Sequence, residues 1–285
     1  MANNTMGGKI VLVTGGTAGI GEVAARELAR QGAKVVIVGR NPEKTAGVVE
    51  ALRAASGNPQ IEYLLADLSL KSEVRRLAAE FKQRYDRLDV LLNNAGGYFS
   101  QRQLTAEGLE YTFALNHLNY FLLTTSMLDV LQATGQARVI NVSSGAHVAA
   151  RLNFEDLQNE RKYSGWAVYS QSKLMNIYFT YELARRVNHC LTVNALHPGR
   201  VGTDIFKANL PVLGPLLKWM VARVSLTPEE GADNTIFLAS SPEVEGVTGK
   251  YYVNKRLVHS SAASTNLVDA RRLWAISVAL TGLEG

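Results

Sequence analysis

Tyr169 and Lys173 stand four residues apart in the stretch Ser164-Gly165-Trp166-Ala167-Val168-Tyr169-Ser170-Gln171-Ser172-Lys173. The stretch has a helical pattern, and on a helix this spacing puts both side chains on one face. A phenol beside an ammonium is a proton-transfer pair, because positive charge favours the phenolate and lowers the tyrosine pKa from about 10. A hydroxyl tuned in this way gives and takes a proton near neutral pH. The same spacing also describes an ordinary amphipathic surface, so the pair takes its meaning from the rest of the chain.

The second chemical feature is Thr14-Gly15-Gly16-Thr17-Ala18-Gly19-Ile20-Gly21. It follows the run Lys9-Ile10-Val11-Leu12-Val13 and precedes apolar residues at helical spacing through Leu28, which reads as strand, glycine loop and helix. Glycines let the backbone approach a pyrophosphate closely, and the helix N-terminus offers N–H groups and a positive dipole end to the anion. The flanks supply the context that a dinucleotide-binding loop requires. The next strand, Lys34 to Val38, ends at Gly39-Arg40-Asn41. An acidic residue there would hold the ribose 2′-hydroxyl of NAD; the Arg40 guanidinium suits a 2′-phosphate and favours NADP. A solvated arginine opening the next helix is the alternative.

Further polar residues recur at strand ends. Asp67 follows the third strand, Ile61 to Leu65, where it either points into the ligand crevice of an open sheet or caps the helix of about 70–85. Asn93-Asn94-Ala95-Gly96-Gly97 follows the fourth strand, Leu88 to Leu92; its amides can tie strand ends together and its glycines leave room for a ligand. Asn116 lies in a helical pattern among Phe113, Leu115, Leu118 and Phe121. Asparagine is a poor helix former, so its amide either turns to solvent or marks a local break that serves a buried polar network. Ser143-Ser144-Gly145 ends the fifth strand, Arg138 to Val142, and the loop His197 to Asp204 ends the sixth, Leu191 to Leu196. Thr203 in that loop serves either as a helix cap or as a ligand contact. Ile205 to Val224 is apolar and broken by Pro211, Gly214 and Pro215, the pattern of a lid or of a face packed on a neighbouring subunit.

Strands alternate with helices throughout, as in a parallel sheet covered on both faces by crossover helices. The capping box Thr227-Pro228-Glu229-Glu230 opens a late helix, Gly249 to Val253 reads as a short last strand, and an amphipathic helix of about 266–280 closes the chain. The 285 residues, 47% hydrophobic and 19% charged, suit one globular domain rather than a disordered chain. The net charge of +5 is spread along the chain, which points to a small phosphate-bearing ligand and away from nucleic acid. A single cysteine, Cys190, fits a reducing compartment, and no apolar run reaches the roughly 20 residues of a membrane span, so the expected location is cytoplasmic. His117, His147, His189, His197 and His259 are scattered, and no metal site is expected.

Taken together, Thr14-Gly15-x-x-x-Gly19-Ile20-Gly21, Asn93-Asn94-Ala95-Gly96, Asn116, Ser144, Tyr169-x-x-x-Lys173 and Pro198-Gly199-x-Val201-x-Thr203 resemble the short-chain dehydrogenase/reductase family in kind and order. The resemblance implies an α/β fold: a single-domain, Rossmann-type, doubly wound parallel sheet with helices on both faces. That catalytic domain would span 1–285, with a flexible N-terminus over 1–8 and a mobile substrate lid over 204–228. It implies Tyr169 as the general acid/base, Lys173 as the residue that tunes it and holds the nicotinamide ribose, and Ser144, rather than Ser143, as the donor to the substrate oxygen. Asn116 would position a water that links Lys173 to solvent. NADP(H) contacts would come from Gly15, Thr17, Ala18, Gly19, Ile20, Arg40, Asp67, Leu68, Asn94, Ala95, Gly96, Tyr169, Lys173, Pro198, Gly199, Val201 and Thr203.

The 25 positions from Ser144 to Tyr169, with Leu115-Asn116-His117-Leu118, Val142-Ser143-Ser144-x-Ala146-His147 and the ending Arg272-Leu273-Trp274-x-x-Ser277-x-x-Leu280-Thr281-Gly282-Leu283, are similar to the retinol-dehydrogenase-like branch. That branch implies NADP and a lipophilic alcohol or carbonyl as substrate; the family also allows a homodimer or homotetramer. No hydrophobic N-terminal anchor like that of the branch's membrane-bound members is expected here. The rival reading is a catalytically inactive NADP-sensing or interaction protein on the same fold. Arg40→Asp is expected to move cofactor preference towards NADH, measured as the ratio of kcat/KM with NADPH and NADH; an unchanged ratio would assign the 2′-phosphate to other residues.

Overall fold

The computed structural model describes residues 4–199 and 227–283. Strands β1 (Ile10–Thr14), β2 (Lys34–Gly39), β3 (Ile61–Leu65), β4 (Val90–Asn93), β5 (Ala137–Val142), β6 (Leu191–His197), β7 (Lys250–Val253) and β8 (Arg256–Val258) form one sheet. Its order is β3-β2-β1-β4-β5-β6-β7-β8, parallel except for the last pair. The chain runs outward from β1 to β3 and then returns to β4 on the other side of β1. This reversal leaves a crevice at the carboxyl ends of β1 and β4, where ligands bind in sheets of this kind.

The helices are α1 (Gly19–Arg30), α2 (Pro42–Ser56), α3 (Lys71–Arg84), α4 (Tyr111–Phe113), α5 (Asn119–Ser126), α6 (Leu128–Ala133), α7 (Gly165–Arg186), α8 (Pro228–Ser240) and α9 (Leu267–Thr281). The strands are apolar on both faces, as a doubly covered sheet demands. Val11, Val13, Val35 and Ile37 pack with Ala25, Leu28 and Leu52 of α1 and α2 and with Leu238 of α8. Leu12, Val36 and Val38 face the other way, onto Leu77 and Phe81 of α3, Leu123 of α5 and Phe179 of α7. Local chemistry sets the helix ends. Asn41 caps α2 through Lys44 N at 2.9 Å, Gly57 ends it at φ 71°, and Thr227 and Glu230 form the expected capping box on α8.

The structure bears on three parts of the sequence reading. The sheet continues past β7 into β8 by a two-residue turn, in which Asn254 and Lys255 both have positive φ, 50° and 61°. An asparagine suits such a turn, but the strand it starts is three residues long and escapes a pattern search. Residues 4–8, read as part of a flexible end, form a turn against α1: the Met6 amide donates to Gln31 O at 2.9 Å and the Met6 side chain is buried. Most of the expected lid, 204–226, lies outside the described residues, while Thr227 and Pro228 belong to the start of α8. Among the described residues no helix is long and apolar enough to cross a membrane.

At the opposite end of the sheet, Asp89 ties β1, β4 and β5 together. Its backbone N–H donates to Ile10 O and its carbonyl accepts from Arg138 N. Its carboxylate, 2% exposed, accepts from Ile10 N at 2.9 Å, from Arg87 Nε at 2.9 Å and Nη2 at 2.6 Å, and pairs with Lys9 at 3.2 Å. Burial pushes its pKa up, but Arg87, the Ile10 N–H and Lys9 together hold it below the ordinary 3.8. The stabilisation is therefore present above the unfolded value and is lost as pH falls through the lower folded value. Asp89→Ala is expected to cost about 3 kcal/mol at pH 7. Urea melts should show the gap to wild type narrowing as pH falls below about 4; a gap constant with pH would exclude the charge as its source.

Candidate active site

The crevice is closed at its base by Thr14 and Asn94. The Thr14 hydroxyl donates to Leu92 O at 3.2 Å and accepts from Asn94 N at 2.9 Å and Ala95 N at 3.1 Å. Asn94 Nδ2 donates back to Thr14 O at 3.0 Å and Gly15 O at 3.2 Å. The glycine loop fits over this clasp because its residues have no side chains there. Gly15 has φ +65°, and a Cβ on Gly21 would lie 2.3 Å from Gly15 O and 2.5 Å from Asn94 Nδ2. Helix α1 starts without a side-chain cap at Ala18, and among the described residues no side chain is recorded on its first-turn N–H groups. Thr17 lies against Gly39 at the end of β2. The Ile20, Leu68 and Ala95 side chains sit in the apolar core, leaving their backbone to border the crevice.

Arg40 and Asp67 meet at the rim beyond β2 and β3. Arg40 Nη1 donates to Tyr111 Oη at 3.1 Å and lies 3.6 Å from Asp67 Oδ2, with most of its guanidinium exposed. Asp67 Oδ1 accepts from Ser69 N and Oγ at 3.0 and 2.7 Å. Asp67 does not cap α3; Glu107 does that from a distant loop, accepting from Lys71 N and Ser72 N at 2.7 and 3.0 Å. A glycine cradle and an uncapped helix start at the crevice together fit a dinucleotide, with the exposed Arg40 guanidinium at the end of β2.

Asn116 does break its helix. Ala114–Leu118 is a π-helical turn between α4 and α5, and it turns the amide inward, fully buried. Asn116 Oδ1 accepts from Gly97 N at 2.8 Å, and Nδ2 donates to Gly97 O at 2.9 Å and Ser172 Oγ at 3.0 Å. Ser172 donates in turn to Tyr169 O at 2.7 Å. A Cβ on Gly96 would lie 3.0 Å from Asn116 Oδ1 and 3.5 Å from Lys173 Nζ, so this glycine is the gap that lets the two groups approach.

The two serines after β5 separate clearly. Ser143 is buried and donates to Lys173 O at 2.7 Å, which pins β5 to α7. Ser144 is half-buried, accepts from Ala146 N at 3.2 Å and hydrogen-bonds Tyr169. Lys173, 4% exposed, donates to Val142 O at 3.2 Å, with Nζ 5.7 Å from the centre of the Tyr169 ring. The expectation that Lys173 lowers the Tyr169 pKa meets a competing effect. Burial pushes Tyr169 up, against the lowering effect of the Ser144 hydrogen bond, and pushes Lys173 down to about 8. Low dielectric penalises phenolate and ammonium alike, so packing holds both groups towards neutrality.

Around this centre stand aromatic rings. Trp166 stacks at 6.1 Å from Tyr169, and Tyr98 meets it edge-on at 6.2 Å. His147 Nδ1 donates to Ser144 O at 2.7 Å, and His197, ahead of Pro198 and Gly199, lies against Gly145. Pro198 and Gly199 are half-buried at the end of β6; Val201 and Thr203 lie outside the described residues, as do Phe206 and Trp219. Among the described residues no group of three or more His, Cys, Asp or Glu side chains could hold a metal. Sequence reasoning missed the clasp role of Thr14 and the link through Ser172. The signal for Ser172 was a hydroxyl between Tyr169 and Lys173 on a helix buried along most of its length.

A family model described as short chain dehydrogenase matches residues 9–211. Human polyprenol dehydrogenase is 38% identical over 286 residues, covering 96% of this chain and 86% of that protein. Human retinol dehydrogenase 14 is 40% identical over 294 residues, covering 98% and 88%. The crystal structure of an uncharacterized protein from Mycobacterium paratuberculosis superposes with a TM-score of 0.79 at 33% identity, covering 98% of this chain and 95% of that one. Gly21→Ala is expected to weaken NADPH binding about tenfold or more, in a fluorescence titration, by forcing the loop off the Thr14 and Asn94 clasp. Binding at wild-type strength would show that the loop has slack.

Proposed function

The chain belongs to the short-chain dehydrogenase family, among relatives named retinol and polyprenol dehydrogenases, and on that footing we propose that it interconverts a lipophilic ketone or aldehyde and its alcohol with NADP(H). The family makes it an oxidoreductase of CH–OH groups that uses a nicotinamide cofactor. The observation that carries the finer reading is the meeting of the Ser144 and Tyr169 hydroxyls, with Lys173 behind them, beside the glycine loop. Arg40, exposed at the end of β2, supports NADP over NAD. The rings of Trp166 and Tyr98 beside Tyr169 support an apolar substrate.

When bound, the nicotinamide supplies or accepts the hydride at carbon. The chain's own part is at oxygen. Ser144 and Tyr169 form a donor pair for the substrate oxygen, stabilising the charge that develops there, and Tyr169 gives its proton in reduction or takes one in oxidation. Burial discourages an isolated phenolate, so the Lys173 ammonium and the Ser144 hydroxyl stabilise Tyr169 once its proton has left. Asn116 holds Gly97 and Ser172, which keeps the loop after β4 at a fixed height against Tyr169 and Lys173. The water path from Lys173 past Asn116 belongs to the same proposal.

Tyr169→Phe is expected to lower kcat/KM by about two to four orders of magnitude while leaving NADPH binding near normal. The assay is NADPH oxidation with a panel of lipophilic ketones, aldehydes and quinones. Substantial residual turnover would move the acid/base role elsewhere, and wild-type protein that binds NADPH yet reduces nothing across a broad panel would count against the enzyme.

A further inference from the structure

Behind Lys173 a buried hydrogen-bonded chain runs to the C-terminal helix. The Val142 carbonyl, at the end of β5, faces two donors: Lys173 Nζ at 3.2 Å and Asn176 Nδ2 at 3.3 Å. A carbonyl only accepts, so the amide nitrogen of Asn176 must face it and the amide oxygen must face away. That oxygen lies 3.3 Å from His117 Nδ1, which therefore carries the proton and donates. His117 Nε2 is left as an acceptor, 3.3 Å from the hydroxyl of Ser277 in α9. Asn176, His117 and Ser277 are all fully buried. Burial pushes the His117 pKa down to about 4, so the imidazole stays neutral and the direction of the chain is fixed at neutral pH.

We propose that His117 is a positioning residue for Lys173: it fixes the orientation of the Asn176 carboxamide, keeps a second donor on the Val142 carbonyl, and ties that arrangement to α9 through Ser277. The inference rests on the reading of Lys173 as the cation behind Tyr169. Without the His117 N–H, the Asn176 oxygen is left buried without its donor, and nothing holds the carboxamide with its nitrogen on the Val142 carbonyl. Release of that second donor leaves the carbonyl to Lys173 alone, which favours charged Lys173. Among the described residues, the titratable groups recorded against Lys173 are Tyr169 on its own helix and Tyr120 on α5, with its ring centre 5.9 Å from Nζ; His117 lies one step further, beyond Asn176. Burial pushes Tyr120 well above its ordinary value, so it stays neutral. Gly96 also borders Lys173 Nζ and does not titrate.

The test follows the Lys173 amine by NMR in the full chain carrying 15N-lysine, with its signal assigned by its loss in Lys173→Arg. His117→Leu is expected to raise the Lys173 midpoint by about half a pH unit or more, roughly a threefold change in its protonation ratio. His117→Gln, which can donate to Asn176 and accept from Ser277, is expected to keep the wild-type midpoint. If the leucine variant does not fold, His117→Phe, which keeps a planar ring but has no N–H for Asn176, takes its place. A wild-type midpoint in the decisive variant, or a folded glutamine variant that fails to restore it, overturns the proposal. The titration needs no substrate, so a chain that reduced no carbonyl would defeat the functional reading while leaving this result standing.

Discussion

One hydroxyl holds the site together at its base. Thr14 accepts two backbone N–H groups from the start of the loop after β4 and donates to Leu92 O, while Asn94 answers by bonding the backbone of Thr14 and Gly15. These bonds are buried or part-buried and reciprocal, so loss of either side chain would leave several polar groups without partners away from bulk water. The glycine loop, the segment from Asn94 to Gly97, and through Gly97 the Asn116 amide all take their positions from this clasp. The crevice end of the sheet is thus built outward from one structural hydroxyl.

A second constraint is the burial of charge. Lys173 is nearly inaccessible, and among the described residues the groups around it supply one carbonyl, one competing amide and aromatic faces rather than a carboxylate. A carboxylate would hold the ammonium firmly charged and leave a fixed ion pair. Burial in this setting pushes the lysine down to about 8, so its charge is held less firmly than that of an ammonium paired with a carboxylate. Asp89 at the far end of the sheet shows the contrast: there three cationic or N–H donors converge on one carboxylate, and the result is a clamp rather than a responsive group.

The sheet and most of its helices were legible because the strands are unbroken apolar runs ending in polar or glycine residues, and because cap residues such as Asn41, Gly57 and Thr227 act through local geometry. Asn116 was legible as an anomaly, a polar amide where a helix wants none, and the π-helical turn explains it. The choice between Ser143 and Ser144 rested on resemblance; packing separates them, since only the first reaches the backbone of α7. Asp67 was ambiguous because its rival as a helix cap, Glu107, is forty positions away and no local pattern connects them. The protonation behaviour of Tyr169 was least legible, because spacing reveals a neighbouring charge but not the depth of burial that opposes it.

The π-helical turn at Ala114–Leu118 has a consequence for how this segment tolerates change. A wide turn carries one more residue than the α-helix around it, so it behaves as an insertion that the helix has absorbed. Removing one residue there would restore regular hydrogen bonding, yet it would rotate Asn116 and His117 by about 100° relative to α5. Both side chains would leave the interior together. Intrinsic helical regularity and the local architecture behind Lys173 are therefore in opposition in this segment, and the sequence has settled the matter in favour of the less regular helix.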